Sequence, residues 1–323
     1  MSGEGSLDFA HKTVMRDEVV RFLSPKEGGR YADVTLGGGG HAEAILQACA
    51  SATVIGVDRD ETAISAASAR LSPFGQRVRI VRGRFSDVAA LVDGPLDGLV
   101  ADVGVSSPQL DDPARGMSFR RDASSSPIDM RMDRSSGKTA LELIEELSEE
   151  ALADTIFELG EERRSRRIAR AIKHALVEGK LATTGDLRHA VYSAVGGKQG
   201  DAIDPATRTF QALRIAVNDE LGELDRLLAA LPDVLVEGGI AVVISFHSLE
   251  DGRVKRAFSG DAWLPLTKRP LVASDQELAQ NPRARSAKLR AARRLRAGEA
   301  KDDRASRYAA RKARKFGESG GSR

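Results

Sequence analysis

One cysteine, Cys49, serves the whole chain of 323 residues, and it lies inside a segment that reads as helix. A disulfide framework and a Cys-based zinc site are therefore excluded, and a cytoplasmic, reducing location is expected. The five histidines (His11, His41, His174, His189, His247) show neither HxxxH nor HExxH spacing, so no metal requirement is expected. Long apolar runs are missing as well. Even runs as long as Ile240 to Ile244 fall far short of the ~20 residues that cross a bilayer. Glu4 and Asp8 stand near the start with no apolar run behind them, so neither export nor a membrane partner is expected. Net charge is only +2, but residues 283–323 hold 15 Lys or Arg against four acids, which leaves about −9 on the rest. Such a basic end suits a polyanion such as RNA, although a disordered solubilising tail accounts equally well for the last stretch, 301–323.

What the chain does have is glycine in one informative place. Tyr31 to Thr35 reads as a short buried strand and Ala42 to Ala50 as a helix, joined through Gly37-Gly38-Gly39-Gly40-His41. Glycines there can take positive φ and let a ligand approach the backbone, although a plain flexible turn would look the same. Thr53 to Val57 is a second apolar strand ending at Asp58, 21 residues after Gly37. A carboxylate at that distance is placed to accept from ribose hydroxyls. Capping the next helix is the other role open to Asp58, and Asp60 could take that role equally well. Gly37, Gly39 and Ala42 match the GxGxxG/A spacing of dinucleotide enzymes, so an NAD-dependent oxidoreductase stays open. Asp33 tilts the reading toward S-adenosylmethionine enzymes, where an acid before the glycines helps to form the pocket for the methionine end.

Strands at 31–35, 53–57, 78–81 and 99–103, with helical stretches between most of them, predict a parallel doubly wound α/β sheet. From Leu110 to Gly137 the pattern stops, and from Thr139 to about Ser193 the chain reads as helical, opening on a Thr139/Glu142 capping box. Arg163, Arg164, Arg166, Arg167, Arg170 and Lys173 give this insertion a basic helix, which fits a nucleic-acid cleft or simply a solvated face. Asp204-Pro205 starts a helix. The stripe Phe210, Leu213, Val217, Leu221, Leu224, Leu228 and Leu231 predicts one helix of about six turns, packed as core, with a homodimer through it left open. The strand Ile240 to Ser245 then resumes the sheet. The expected division is 1–109 with 215–300 as a Rossmann-like domain and 110–214 as a small helical, substrate-recognising insertion.

Asp102-Val103-Gly104-Val105-Ser106-Ser107-Pro108-Gln109 follows the fourth strand, where an acceptor amine would meet a methyl donor. With the segments DVTLGGGGH (33–41), VDRD (57–60), DVGVSSPQLDD (102–112), RGMSF (115–119), PIDMRMD (127–133), GEER (160–163), PATRTFQALR (205–214), ISFHSLED (244–251) and NPRARS (281–286), the chain resembles the RsmH (MraW) family. These are bacterial methyltransferases that form N4-methylcytosine in the decoding region of 16S rRNA. The resemblance spans about 280 residues. It implies a class I S-adenosylmethionine-dependent methyltransferase fold and S-adenosyl-L-methionine as cofactor. It also implies 16S rRNA or the small ribosomal subunit as partner. A non-catalytic RNA-binding assembly factor on the same fold is the remaining rival.

Carried over by position, the resemblance implies that Gly39, Gly40, His41, Asp58, Phe85, Asp102 and Gln109 contact the cofactor. Asp102 is also the candidate catalytic residue, as acceptor of an amine hydrogen bond and of the proton. Phe85 could instead be a core residue, and Gln109 a loop residue. His247 and Ser248 could contact target base or phosphate, and for His247 a structural bond to its own loop fits as well. The Ser124-Ser125-Ser126 stretch and the tail after Arg296 lie outside the family's usual pattern.

Overall fold

The inner strands of the parallel sheet carry apolar runs that can be buried on both faces, whereas the edge strand VRIVR alternates apolar residues with arginine. In the computed structural model, which describes residues 13–118, 123–196 and 204–299, the parallel strands are β1 (Arg30–Asp33), β2 (Thr53–Asp58), β3 (Val78–Arg82), β4 (Leu96–Asp102) and β5 (Leu235–Ser245). All five pair in parallel. Two further strands, β6 (Trp263–Pro265) and β7 (Lys288–Arg294), complete a sheet of order β3-β2-β1-β4-β5-β7-β6 in which β7 runs antiparallel to both neighbours. Alternation along β5 splits the core. Val242 and Ile244 face α1 (Arg16–Leu23), α2 (Gly40–Ala48) and α3 (Glu61–Leu71), whereas Ala241 and Val243 face α4 (Val88–Leu91) and the helices that flank β5. His11, Phe119 and the tail 301–323 lie outside the described residues.

Strand β7 overturns part of the charge reading. Its sequence KLRAARR belongs to the stretch counted above as a basic tail, yet it is an inner strand. Leu289 and Ala291 enter one core and Ala292 the other. Arg290 is buried and donates through Nε and Nη2 to the two carboxylate oxygens of Asp251 at 2.6 and 3.0 Å. Removing one partner of such a pair strands the other's charge. Arg290→Ala is therefore expected to lower unfolding free energy by about 3 kcal/mol, checked by urea titration.

Between β4 and β5 the chain forms α5 (Ser107–Asp111), α6 (Ala140–Glu146), α7 (Glu149–Gly160), α8 (Ser165–Val177), α9 (Thr184–Val195) and α10 (Ala206–Asn218). The Thr139/Glu142 capping box is present, and Ile144, Leu152, Ile156, Ile168, Ile172, Leu187 and Phe210 close a second core. The serine stretch is anchored to α9: Thr184 N donates to Ser126 O at 2.9 Å and Gly185 N to Ser124 O at 2.8 Å. The single long helix expected over 205–231 is in fact two. Asp219 adopts φ 50°, ψ 38° and separates α10 from α11 (Glu220–Val234). Asn218 fixes the break by accepting from Met132 N at 2.8 Å and donating to Met130 O at 2.7 Å. The apolar stripe is thereby divided, with Phe210 and Leu213 in the helical core and Leu224, Leu228 and Leu231 under the sheet. Both halves are packed as core within this chain. After β5 come α12 (Ser248–Phe258) and α13 (Asp275–Gln280).

Candidate active site

The loop after β1 is built to stay open. Gly37 and Gly39 have φ 49° and 80°, a region closed to most side chains. Asp33, fully buried behind the loop, accepts from Thr35 N at 3.3 Å and Ala42 N at 3.1 Å. It therefore braces the glycine loop from behind and helps to form the pocket through that loop, without itself lining the cavity. Gly39 also faces away, with Leu71 of α3 3.1 Å from where a Cβ would sit, and a Cβ on Gly40 would meet Thr13 Oγ1 at 1.8 Å. Both glycines are needed for packing, and Gly40 also borders, with Gly37 and Gly38, a cavity of about 780 Å³.

Burial raises the Asp33 pKa to about 6, with His41 pulling it down and Asp102 pushing it up. The fold thus prefers the neutral carboxyl. That preference contributes fully below the unfolded-chain value near 4 and is lost as pH rises through about 6. The difference between 3.8 and about 6 corresponds to about 3 kcal/mol. Relative to Asp33→Asn, which cannot ionise, the native protein should lose melting temperature between pH 5 and pH 8. A pH-independent difference would show that Asp33 does not titrate in this range.

Asp58, at the tip of β2, accepts from Gly37 N through Oδ2 (2.8 Å) and from Asp60 N through Oδ1 (2.9 Å), and it lines the cavity. Burial outweighs these bonds and raises its pKa. Helix capping belongs to Asp60, whose Oδ1 accepts from Thr62 N at 3.0 Å. Phe85 follows β3 in a 3-10 turn, where it both borders the cavity and packs on the core, so its two readings are compatible.

Asp102 ends β4, its amide donating to Thr35 Oγ1 at 2.6 Å. Its buried Oδ1 has no hydrogen-bond partner, and neither ring nitrogen of His41 has one. His41 Nε2 stands 3.6 Å from Asp102 Oδ2, an ion-pair distance too long for a hydrogen bond. Unpaired polar atoms in a buried wall are costly unless something completes them. Gln109 is committed differently: Nε2 donates to Asp60 Oδ2 at 2.9 Å and Oε1 accepts from Ser106 N at 3.2 Å. Arg115 joins the same carboxylate at 2.7 Å and holds Met132 O at 2.7 Å. A buried chain of polar contacts thus runs from the β2 tip to Asn218 at the end of α10.

On the far side, His247 caps α12, its Nδ1 accepting from Glu250 N at 3.4 Å, while Glu250 Oε2 accepts from the amides of Phe246 and His247 at 2.7 and 3.2 Å. This is the structural role considered for His247, although the residue still borders the cavity. Ser248 donates to Glu161, which ties the tip of β5 to the end of α7. Charged residues that no spacing flagged also line the cavity, among them Arg84, Arg214, Glu220 and Glu223. Arg214 grips Glu220 with two bonds of 2.7 and 2.9 Å. Glu220, His247 and Glu250 bring three ligand atoms within 4.8 Å of one another. Arg214 holds both oxygens of Glu220, and backbone amides at the start of α12 hold His247 Nδ1 and Glu250 Oε2, whereas His247 Nε2, 3.0 Å from Glu250 Oε1, has no hydrogen-bond partner. Among the basic residues of α8, Arg166 and Arg170 pair with Asp154 and Glu149.

A sheet of this order, with β7 antiparallel to its neighbours and a cavity above the tips of β1, β2 and β4, is Rossmann-like, and the family match makes the chain a class I S-adenosylmethionine-dependent methyltransferase. More narrowly, the chain belongs to the MraW methylase family, whose profile matches residues 8–295. It is 58% identical over 295 residues to the ribosomal RNA small subunit methyltransferase H of Sorangium cellulosum, covering 90% of this chain and 92% of that one. To the protein of the same name from Geotalea uraniireducens it is 48% identical, covering 89% and 99%. Among solved structures, an rRNA methylase from Streptococcus thermophilus aligns at a TM-score of 0.39 and 11% identity, over 87% of this chain and 94% of that one. A SAM-dependent O-methyltransferase from Thermotoga maritima aligns at 0.42 and 10%, over 90% and 69%. Likenesses that distant say nothing about activity. Among the described residues no helix is long and apolar enough to cross a membrane.

Proposed function

We propose that the protein transfers a methyl group from S-adenosyl-L-methionine to the exocyclic N4 amine of one cytidine in the decoding region of 16S rRNA. The observation that carries this reading is Asp102, a carboxylate with an unpartnered oxygen at the tip of β4, beside an open glycine loop, in a chain nearly 60% identical to a small-subunit rRNA methyltransferase. The residues present suit the cofactor. Asp58 offers acceptors to ribose hydroxyls, Phe85 an apolar face to a purine, and Gly37 and Gly38 backbone without side chains. When bound, the cofactor supplies an electrophilic methyl group on a sulfonium.

The chain's part is largely positioning. A cytosine amine is a weak nucleophile because its lone pair is delocalised into the ring. The Asp102 carboxylate can accept one of its hydrogens, orienting the lone pair, and can then take the proton released on methylation. His41 keeps a second polar group beside that carboxylate. Gly39, Gly40 and His41 shape the loop that receives the methionine end, and Gln109 fixes the Asp60 and Ser106 ends of the pocket wall. The helical unit between β4 and β5, with the basic residues of α8, is assigned to holding the RNA around a base that has left its stack. The small ribosomal subunit or its free rRNA is then the partner, and the cytoplasm the location.

Calorimetric titration separates this from the NAD-dependent alternative. S-Adenosylmethionine should bind and NAD should not, whereas tight NAD binding alone would sink the reading. In the same assay Asp58→Ala should weaken S-adenosylmethionine binding by about 1 to 3 kcal/mol, the loss of a charged acceptor. Unchanged affinity would leave Asp58 only its bonds to the amides of Gly37 and Asp60.

A further inference from the structure

Glu223, on the first turns of α11, carries a charge in a place that neither the glycine loop nor the target amine uses. It is 1% exposed and contributes to the cavity wall. One oxygen, Oε1, is taken by Arg84 at 2.6 Å, with Arg226 3.5 Å away. The other, Oε2, is buried with no hydrogen-bond partner. The Ser86 hydroxyl, close in sequence to Arg84, donates to Asp87 at 3.2 Å and lies near enough to Glu223 to help Arg84 hold its carboxyl below the ordinary pKa against the effect of burial. A carboxylate offers only acceptors, so what completes Oε2 must be a donor.

Position tells which donor. The Asp58 tip of β2 is the ribose end of the cavity, and the loop after β1 and the tip of β4 hold the methionine end. The base must lie on the other side of the ribose, toward β3, where Phe85 stands. Glu223 is held beside that residue through Arg84, and α11 packs on the 3-10 turn of residues 85–87. In the loop that leaves β3 the chain has Arg84-Phe85-Ser86, with no acid before Asp87. We propose that Glu223 reads the cofactor's purine, its Oε2 accepting from the 6-amino group of adenine and so selecting adenine over a 6-oxo purine. The proposal rests on the S-adenosylmethionine reading above and adds a specificity residue to it. Pairing of Oε1 with Arg84 keeps the side chain an anion, so a keto oxygen in the place of the amine would face it acceptor to acceptor.

The test compares S-adenosylhomocysteine with S-inosylhomocysteine, which carries oxygen at position 6, by calorimetry on the full chain and on Glu223→Gln. The native protein is expected to prefer the adenosyl ligand at least tenfold. In Glu223→Gln the carboxamide can donate as well as accept, and the preference should shrink to within about threefold or invert. The ratio is read within each variant, so a general loss of stability does not mimic it. Should the glutamine variant not fold, Glu223→Asp withdraws the carboxylate by one methylene, and the same fall in preference is expected. A native preference below threefold, or an unchanged preference in the variants, overturns the assignment. If the native protein bound neither ligand, the cofactor reading would fall, and the proposal with it.

Discussion

Asp102→Ala slows methyl transfer to small-subunit RNA by about 10²- to 10⁴-fold in single turnover, the range typical of losing a positioned proton acceptor. The residue's amide stays where it is, because its bond to Thr35 Oγ1 does not involve the side chain. Affinity for S-adenosylmethionine is therefore expected to change by less than about tenfold, the scale of one neutral hydrogen bond. Asp102→Asn keeps one acceptor oxygen and loses the charge, so it can still orient the amine but takes up its proton poorly, and it should fall between the two. The alternative assignment makes Asp102 a cofactor ligand alone. It predicts the opposite split, with affinity lost and the rate at saturation kept.

Gly116→Ala is expected to destabilise the protein by about 3 to 5 kcal/mol, combining a strained left-handed conformation with overpacking. Gly116 has φ +63°, and an added Cβ would sit 1.9 Å from the carbonyl oxygen of Pro127. The contact is backbone to backbone, so no side chain can swing away. The glycine lies where the RGMSF segment crosses PIDMRMD, the two joined by Met130 N donating to Arg115 O at 2.8 Å. Spreading them apart pulls Arg115 from Asp60, a buried pair at 2.7 Å. S-Adenosylmethionine affinity should fall together with stability, even though Gly116 does not line the cavity. Urea unfolding and calorimetry on the same preparation check both. A loss below 1 kcal/mol would mean that this crossing can relax.

These two positions also show what sequence could and could not reveal. The parallel strands were legible because VIGVD and LVADV are too apolar for anything but a sheet buried on both faces. The glycine loop and Asp58 were legible from their spacing. Strand β7 was not, since four of its seven residues are basic and only the Arg290–Asp251 pair and the alternation of Leu289 with Ala292 reveal its burial. Nor was the break at Asp219. The leucine stripe continues through it in register, and the side chain that enforces it, Asn218, acts through carbonyl and amide groups some 86 residues away in sequence. Glu220 and Glu223 follow that break and border the cavity, a placement that no spacing in the sequence marks. Gln109 and Arg115 were visible as parts of motifs. That they share a partner, Asp60, was not visible, because an ion pair between distant segments leaves no periodic trace.

The central claim is the chemistry at the cytosine amine, and one measurement reaches it directly. Purified protein is incubated with unmodified small ribosomal subunits or their free 16S rRNA and with S-adenosylmethionine carrying a labelled methyl group. The RNA is then digested to nucleosides for mass spectrometry. The account predicts label in a single nucleoside, N4-methylcytidine, and an initial rate of labelling lower by about 10²-fold or more when Asp102→Ala replaces the native protein. Label on a ring carbon, on a ribose hydroxyl or on another base, or no label with either substrate, would contradict it.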